Sequence, residues 1–573
     1  MQVSRNEPSL VGDAEGECRS SDKNLPDVLC SEIYSHVFSK LPLRLINLRE
    51  RKLKERSAVA EHLTSSEKLN AGVEKIRMKE CEAFKGLPTM TPVQRDRLRD
   101  TVIAEWVDDV TRYAILSHTW ERGELSYQDL HGQHDLSGSH LCLPDSDQDS
   151  DRKRSFEKLH NFCDIAEEYG TEFAWADNVC IDKSSSAELD ESIRSMFSWY
   201  RNAAICIVYL AQTNDLRNLV HDRWFTRGWT LQELLAPRHL KFYSKRWDRL
   251  TDLFNDKIFA EDVRKLNDQR LSRQLDLLSG AILKAAGLVM QHVRDFNPGI
   301  RHPSMPERMQ WIARRVTTRE EDQSYSLMGI FNVSISIAYG EGRERAFFRL
   351  FQAILEVGYE REWLLWTGRS VSPSIHPSRM IPSSPKCYLT RNVHFRRDTP
   401  EGRMVSALED EPLSLTNVGL PMKILFVPAH VQEPGKFSRY PDYTPPDALI
   451  TCPLSNKTIE IRGIHRDDNE GPLVREEFAL GVLNVSPEGQ DDGVPCPDHL
   501  YAILLRRVVT RESQSCAYGS WKKCDTDEII TFECDDKSRI SKFEVEWSMD
   551  RVLTKRKDDR VQTEKISFRM MSL

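Results

Sequence analysis

The sequence predicts an α/β protein: a parallel sheet flanked by helices over residues 113–244, a helical continuation, and a β-rich C-terminal region. Three observations lead there. Between 113 and 244, compact apolar runs alternate with stretches of helical periodicity, the pattern of strands joined by crossover helices. From 245 to 364 the apolar spacing is mainly helical. From about 365, Pro and Ser punctuate short apolar runs such as 423–427, 458–461 and 499–505, which reads as a separate β-rich region running to 573.

Taken in order, residues 1–28 are polar and the first 40 residues are expected to be irregular. Leu41–Leu48 begins with alternating apolar residues and reads as a short strand, followed by a helical stretch over 50–108 rich in Glu, Lys, Arg and Leu. The strand and this helical insertion occupy 41–112. Tyr113–Ser117 is a compact apolar run, hence a strand. Residues 143–154 are small and charged and are expected to form a loop. Phe156, Leu159, Phe162, Ala166 and Tyr169 recur at helical spacing. Phe173–Asp177 is a second strand ending on an acid. Leu189, Ile193, Met196, Phe197 and Tyr200 mark an amphipathic helix, whose apolar surface is a candidate for self-association. Ile205–Leu210 is a third strand, Thr226–Leu235 a helix, and His239–Ser244 a fourth strand. Further on, Thr318 and Glu321 fit a capping box, and Arg345–Leu355 forms an amphipathic helix.

Composition excludes several classes. With 39% apolar residues, 12 Trp and 22 Phe in 573 residues, the chain can bury a core and is not globally disordered. A net charge of −8 argues against a dedicated nucleic-acid binder, which needs a basic face. The 13 cysteines are scattered, with no CxxC pair, so neither a disulfide framework nor a metal site is expected. The polar N-terminus lacks a signal-peptide core, and the most apolar stretch, Ala281–Met290, is too short to span a bilayer. These features point to a cytoplasmic protein with no membrane span. There is no P-loop and no GxGxxG. The pair Gly340/Gly342 lacks the strand–turn–helix context of a phosphate loop.

Three blocks carry a family resemblance: YAILSHTW at 113–120, followed by Gly123, Glu124 and Tyr127; WADNVCID at 175–182, running on to SMFSWYR at 195–201; and RWFTRGWTLQELLAP at 223–237. Their order, spacing and residue types resemble the fungal heterokaryon-incompatibility (HET) domain. REEDQSYSLMGIF at 319–331 with YGEG at 339–342 looks like the usual continuation. Residue 176 is Ala where the family commonly has Ile, and the 50–108 insertion lengthens the spacing to the first block. HET domains are distantly similar to TIR domains. The resemblance therefore implies a parallel flavodoxin-like (TIR-like) sheet and a role in nonself recognition and programmed cell death. It also implies self-association or protein partners in incompatibility signalling. Some TIR domains cleave NAD with a Glu in a Trp-Cys-x-x-Glu-Leu segment, and WTLQEL at 229–234 has that spacing. NAD is then a candidate substrate, with no cofactor required.

In parallel sheets, ligands bind beyond the carboxyl ends of the strands. That rule selects the loops after Ser117, Asp177 and Leu210. Glu233 is the candidate catalytic carboxylate, able to stabilise an oxocarbenium-like ribose. Trp229, four residues earlier on the expected helix, would stack on a flat ring. Glu233 is otherwise a solvated helix acid or a partner of Arg227. Ser117, His118, Trp120 and Asp177 are candidate ligand-binding residues. A Ser117–His118 nucleophile pair is disfavoured, because adjacent residues on an extended chain point apart. Asp177 serves either a ribose or the following turn; Asp182 is assigned a structural role. Cys180 reads as a buried hydrophobe rather than a nucleophile. Arg223 and Arg227 either contact a phosphate or pair with neighbouring acids.

Overall fold

The computed structural model describes residues 24–86, 91–131, 147–265, 267–300, 303–357, 361–389, 415–416, 420–432, 445–465, 477–483, 499–508, 520–535 and 567–572. The chain divides into two compact units. The first comprises 1–225 and 232–296, the second 226–231 and 297–573.

The first unit holds a six-stranded mixed sheet in the order β2-β1-β4-β3-β5-β6. The strands are β1 (Arg44–Asn47), β2 (Lys52–Glu55), β3 (Tyr113–His118), β4 (Phe173–Trp175), β5 (Ile205–Tyr209) and β6 (Leu240–Tyr243). Strands β3 to β6 run parallel. The early strand within Leu41–Leu48 is present as β1, but it lies antiparallel to both β2 and β4. A tight β1–β2 connection allows only an antiparallel pair. The sheet is thus mixed rather than wholly parallel. Every residue of β3 is buried, as expected of a central strand covered on both faces. After β3 the chain moves to one side for β4, then returns past β3 to place β5 on the other. The order reverses at β3, the position where such sheets open a ligand crevice.

Helices fill the connections. Leu25–Lys40 (α1), expected irregular, is helical because Leu25, Leu29, Ile33 and Val37 form one buried stripe. The 50–108 stretch contributes Ser66–Gly86 (α2) and Pro92–Val110 (α3), the latter opened by a Thr91/Gln94 capping box. Residues 147–154, expected as loop, begin the helix Asp147–Glu168 (α4); residues 143–146 lie outside the described residues. The charged run is the N-terminal, partly solvated part of a helix whose later residues Leu159, Phe162 and Ala166 are buried. In Ser186–Asn202 (α5), Ser185 caps the Glu188 N–H, and Ile193, Met196, Phe197, Trp199 and Tyr200 are buried. That face belongs to the unit's own core, with Trp175 edge-on to Trp199 and Tyr200. It is not a free self-association surface.

The segment expected as one helix over 226–235 is helical only from Thr230 to Leu235 (α6). The reason is local. Residues 226–228 form a short parallel bridge with Val316: the Val316 N–H donates to Thr226 O at 2.7 Å, and the Gly228 N–H donates to Val316 O at 3.0 Å. Backbone groups used in that bridge are not available to a helix. Gly228 permits the close approach, since a Cβ there would lie 2.4 Å from Thr317 Cγ2.

The second unit combines helices with an eight-stranded antiparallel sheet. Arg308 anchors the helical part. It is fully buried and donates to the carbonyls of Pro298, Ile300, Pro303 and Ile330. The expected capping box at Thr318/Glu321 does not form. The Glu321 carboxylate instead accepts the N–H groups of Gly340 and Gly342, at 2.9 and 3.1 Å, while Thr318 Oγ1 accepts from Arg227. Arg343–Val357 is a 15-residue helix (α7) burying Phe347, Leu350, Phe351 and Ile354. The sheet includes β7 (Pro421–Gln432), β8 (Ala448–Cys452), β9 (Ser455–Ile461), β10 (Phe478–Val482) and β11 (His499–Val508). Its central strands carry a core of Leu425, Val427, Ile450, Leu480 and Leu504.

Candidate functional site

The carboxyl edge of the parallel strands in the first unit gathers two polar clusters that meet at Ser117 and His118. The first is buried. The Ser117 hydroxyl ends β3 and donates to the Glu233 carboxylate, while the Trp224 indole N–H donates to the same hydroxyl at 2.8 Å. Ser117 is fully buried and Glu233 is 7% exposed. Tyr200 is close by, its hydroxyl donating to Leu116 O at 2.9 Å. Burial, reinforced by the Glu233 charge, raises the Tyr200 pKa well above its ordinary value. The same two causes act on the Cys206 thiol. Helix α6 is therefore what brings Glu233 to the end of the central strand, across 116 positions of sequence.

The second cluster reaches solvent. The Trp120 indole N–H donates to both oxygens of Asp177, at 3.0 and 3.3 Å. Lys183 completes a triangle, with Nζ 3.5 Å from Asp177 and 3.3 Å from the centre of the Trp120 ring. Such a cation over an indole face is attractive electrostatically. Desolvation lowers the Lys183 pKa against the opposing pull of Asp177. Trp120 itself is 43% exposed. Asp177 opens the one-turn helix Asp177–Cys180 rather than closing β4, so its carboxylate stands at the sheet edge.

His118 lies beneath this triangle, its side chain inaccessible to solvent, with Nε2 3.5 Å from Glu124 and 3.9 Å from Asp177. Neither ring nitrogen makes a hydrogen bond. Burial, then the charges of Lys158 and Lys183, hold its pKa well below the usual histidine range. The imidazole is neutral, and its approach to Glu124 is not an ion pair. Glu124 is instead paired with the buried Lys158, at 2.6 Å; burial still raises the Glu124 pKa. Beside Trp120 a cavity of about 280 Å³ has Arg122, Arg154 and Arg223 on its wall together with Glu121, Glu124 and Asp151, and Arg154 pairs with Asp151.

Of the residues singled out from sequence, Ser117 and Glu233 form one hydrogen-bonded pair, and His118, Trp120 and Asp177 form the adjoining cluster. Trp229 does neither. It precedes helix α6, and its indole bonds Asp322 in the second unit, an acid that also accepts from Tyr339 at 2.9 Å. Asp182 shapes its own turn, accepting from the Ser184 N–H and hydroxyl and from Gln128. Cys180 is buried and its thiol is pushed up to about 12, which removes it as a thiolate nucleophile. Arg223 donates to Trp120 O at 3.2 Å, and Arg227 reaches Thr318. Sequence reading missed Trp224, Lys183, Glu124, Lys158 and Tyr200. Trp224 and Tyr200 sit inside the quoted blocks, but nothing in the spacing says which aromatic of a block turns toward Ser117. Among the described residues, no group of three or more His, Cys, Asp or Glu is placed to hold a metal ion. None of the described helices is long and apolar enough to cross a membrane.

Residues 113–220 of the first unit, which carry this polar edge, match the family model described as Heterokaryon incompatibility protein (HET). The chain is similar to Vegetative incompatibility protein HET-E-1 of Podospora anserina, 39% identical over 255 residues. That match covers 42% of this chain and 16% of the relative, so the chain spans only a small part of the relative's length. No solved structure matches the chain. The family match includes Ser117, His118, Trp120, Asp177 and Lys183 and ends before Glu233.

Proposed function

We propose that this chain acts in fungal nonself recognition as an incompatibility effector, and that it triggers cell death by hydrolysing NAD through Glu233. The role in incompatibility is supported by the HET domain and by the likeness to an incompatibility protein. The chemistry is supported by one observation above all: the Glu233 carboxylate, bonded to Ser117, stands at the carboxyl end of the central parallel strand, where such sheets bind ligands.

In the proposed reaction the bond between ribose C1′ and the nicotinamide nitrogen breaks, and its electron pair goes to the nicotinamide ring. Water adds to C1′ and releases one proton, giving ADP-ribose and nicotinamide. Glu233 stabilises the oxocarbenium-like ribose as the bond lengthens. Ser117 orients the carboxylate. Arg122 and Arg223 in the cavity beside Trp120, whose wall also carries Glu121, Glu124 and Asp151, would contact the diphosphate.

The test is free nicotinamide released from NAD by the oligomerised full chain, wild type against Glu233→Gln. Release in wild type, reduced about 100-fold or more in the variant, is expected of a lost electrostatic stabiliser. No release from folded wild type, or equal release from both, rejects the enzymatic reading. The 7% exposure of Glu233 favours a second reading, a non-enzymatic signalling module acting through partners. On that reading a folded Glu233→Gln chain remains toxic when expressed.

A further inference from the structure

The second unit contains a cavity of about 1280 Å³, larger than an ordinary small-molecule pocket of roughly 300–1,000 Å³. Four guanidinium side chains line it, from Arg343, Arg345, Arg369 and Arg379. Serine hydroxyls occupy much of the rest of its wall, including Ser372, Ser374 and Ser384. We infer that this cavity binds a soluble small molecule carrying a diphosphate or two neighbouring phosphates.

Charge bookkeeping carries the inference. The acids on the wall are engaged inside the protein. Glu341 pairs with Arg349 at 2.6 Å and accepts from the Tyr325 hydroxyl at 2.7 Å. Asp525 accepts the Ser370 N–H and hydroxyl, both at 2.9 Å. Glu344 accepts the Ser372 N–H. Glu320 approaches Arg343 only to 3.7 Å. Arg345 and Arg369 are exposed and have no carboxylate partner among the described residues. Arg345 and Arg369 therefore offer guanidinium groups that no described carboxylate pairs, in the planar donor form that grips phosphate oxygens two at a time, while Glu344, bonded to a backbone N–H, keeps one negative charge on the same wall.

Helix placement makes the same point independently. Arg343 and Arg345 occupy the first turn of α7, where the helix dipole disfavours cations. Glu344 between them offsets part of that cost, and a bound anion would offset more. The turn leading into α7 has Gly340 and Gly342 at φ of +95° and +84°. Its two amides already hold the Glu321 carboxylate. Phosphate contact thus falls to the guanidinium groups and the serine hydroxyls, not to a glycine loop. This explains why the Gly340-Glu-Gly342 stretch fails as a phosphate-loop motif although it borders the anion site.

The experiment titrates full-length protein with inorganic pyrophosphate by calorimetry at low and high salt. Saturable binding that weakens as salt rises is expected. Arg345→Ala with Arg369→Ala removes two exposed side chains, keeps the fold by circular dichroism, and weakens binding at least tenfold. Removing equal charge elsewhere, with Lys457→Ala and Arg462→Ala, leaves affinity within twofold. Three results overturn the proposal: no pyrophosphate binding at millimolar concentration, equal loss in both double variants, or binding to anionic phospholipid vesicles without binding to pyrophosphate.

Discussion

Ser117→Ala isolates the junction on which the candidate site rests. The hydroxyl makes two hydrogen bonds in a dry environment, donating to the Glu233 carboxylate and accepting from the Trp224 indole at 2.8 Å. The alanine keeps Cβ, so almost no apolar packing is lost and the effect is polar. Trp224 is fully buried, and its N–H loses this acceptor at a cost of about 1–2 kcal/mol. The charge-assisted bond to Glu233 adds about 1.5–3 kcal/mol. The expected loss is therefore about 2.5–5 kcal/mol, above the typical value of about 1 kcal/mol for a point substitution. Urea denaturation followed by tryptophan fluorescence and circular dichroism measures it. Trp224→Phe, which removes the indole donor, closes a double-mutant cycle with Ser117→Ala. A coupling of about 1 kcal/mol is expected for the direct bond. A Ser117→Ala cost below about 0.5 kcal/mol, the range of an unremarkable surface change, would show that the hydroxyl does not hold Glu233. The orientation role given to it in catalysis would then fall with it.

Three further changes probe other parts of the framework. Lys257 is buried, donates to Leu235 O and Pro237 O at the end of helix α6, and is pushed down to about 7 by desolvation. The unfolded chain binds the extra proton between about pH 7 and 10.4, so this group makes stability rise with pH across that window. The difference between wild type and Lys257→Met should grow by up to about 1.4 kcal/mol per pH unit there, and a flat difference refutes it. Arg308→Lys loses the planar fork that reaches the carbonyls of Pro298, Ile300, Pro303 and Ile330. It should cost about 3 kcal/mol or more in thermal or urea unfolding. Gly228→Ala places a methyl 2.4 Å from Thr317 Cγ2 and should cost about 1–3 kcal/mol. Thr317→Ser, which removes that methyl, should restore most of the loss.

What could be read from the residues follows from the range of the forces involved. The strands β3 and β5 and helices such as α5 were legible because a fully apolar run or a 3.6-residue stripe is a local signature of burial. The direction of β1 was not, since parallel and antiparallel strands have the same local pattern and the pairing with β4, more than 120 positions away, sets it. The N-terminal helix and the start of α4 were missed for a related reason: their sequences are polar on most faces, and one buried stripe suffices. The 226–235 segment shows the limit most clearly. Its later residues, Leu231–Leu235, favour helix, whereas Thr226 and Gly228 do not, and residues 226–228 are held by Val316, about 90 positions away in sequence.

The same distinction separates the two halves of the candidate site. His118, Trp120 and Asp177 were found together because a topological rule places strand-end loops side by side whatever their sequence, and the Trp120–Asp177 bond lies within that rule's reach. Glu233 was found for a different reason, a spacing argument that tied it to Trp229. In the structure Glu233 bonds Ser117, and the interaction of Trp229 is with Asp322. The aromatic donor beside Glu233's partner is Trp224. The residue standing at the solvent edge of this site, held by Asp177 and Lys183 and still 43% exposed, is Trp120. If a planar ligand group stacks anywhere here, it stacks on Trp120 and competes with Lys183 for the ring face. Lys183→Ala should then leave the fold intact and raise affinity for the ring-bearing ligand, an increase that a purely structural Lys183 does not produce.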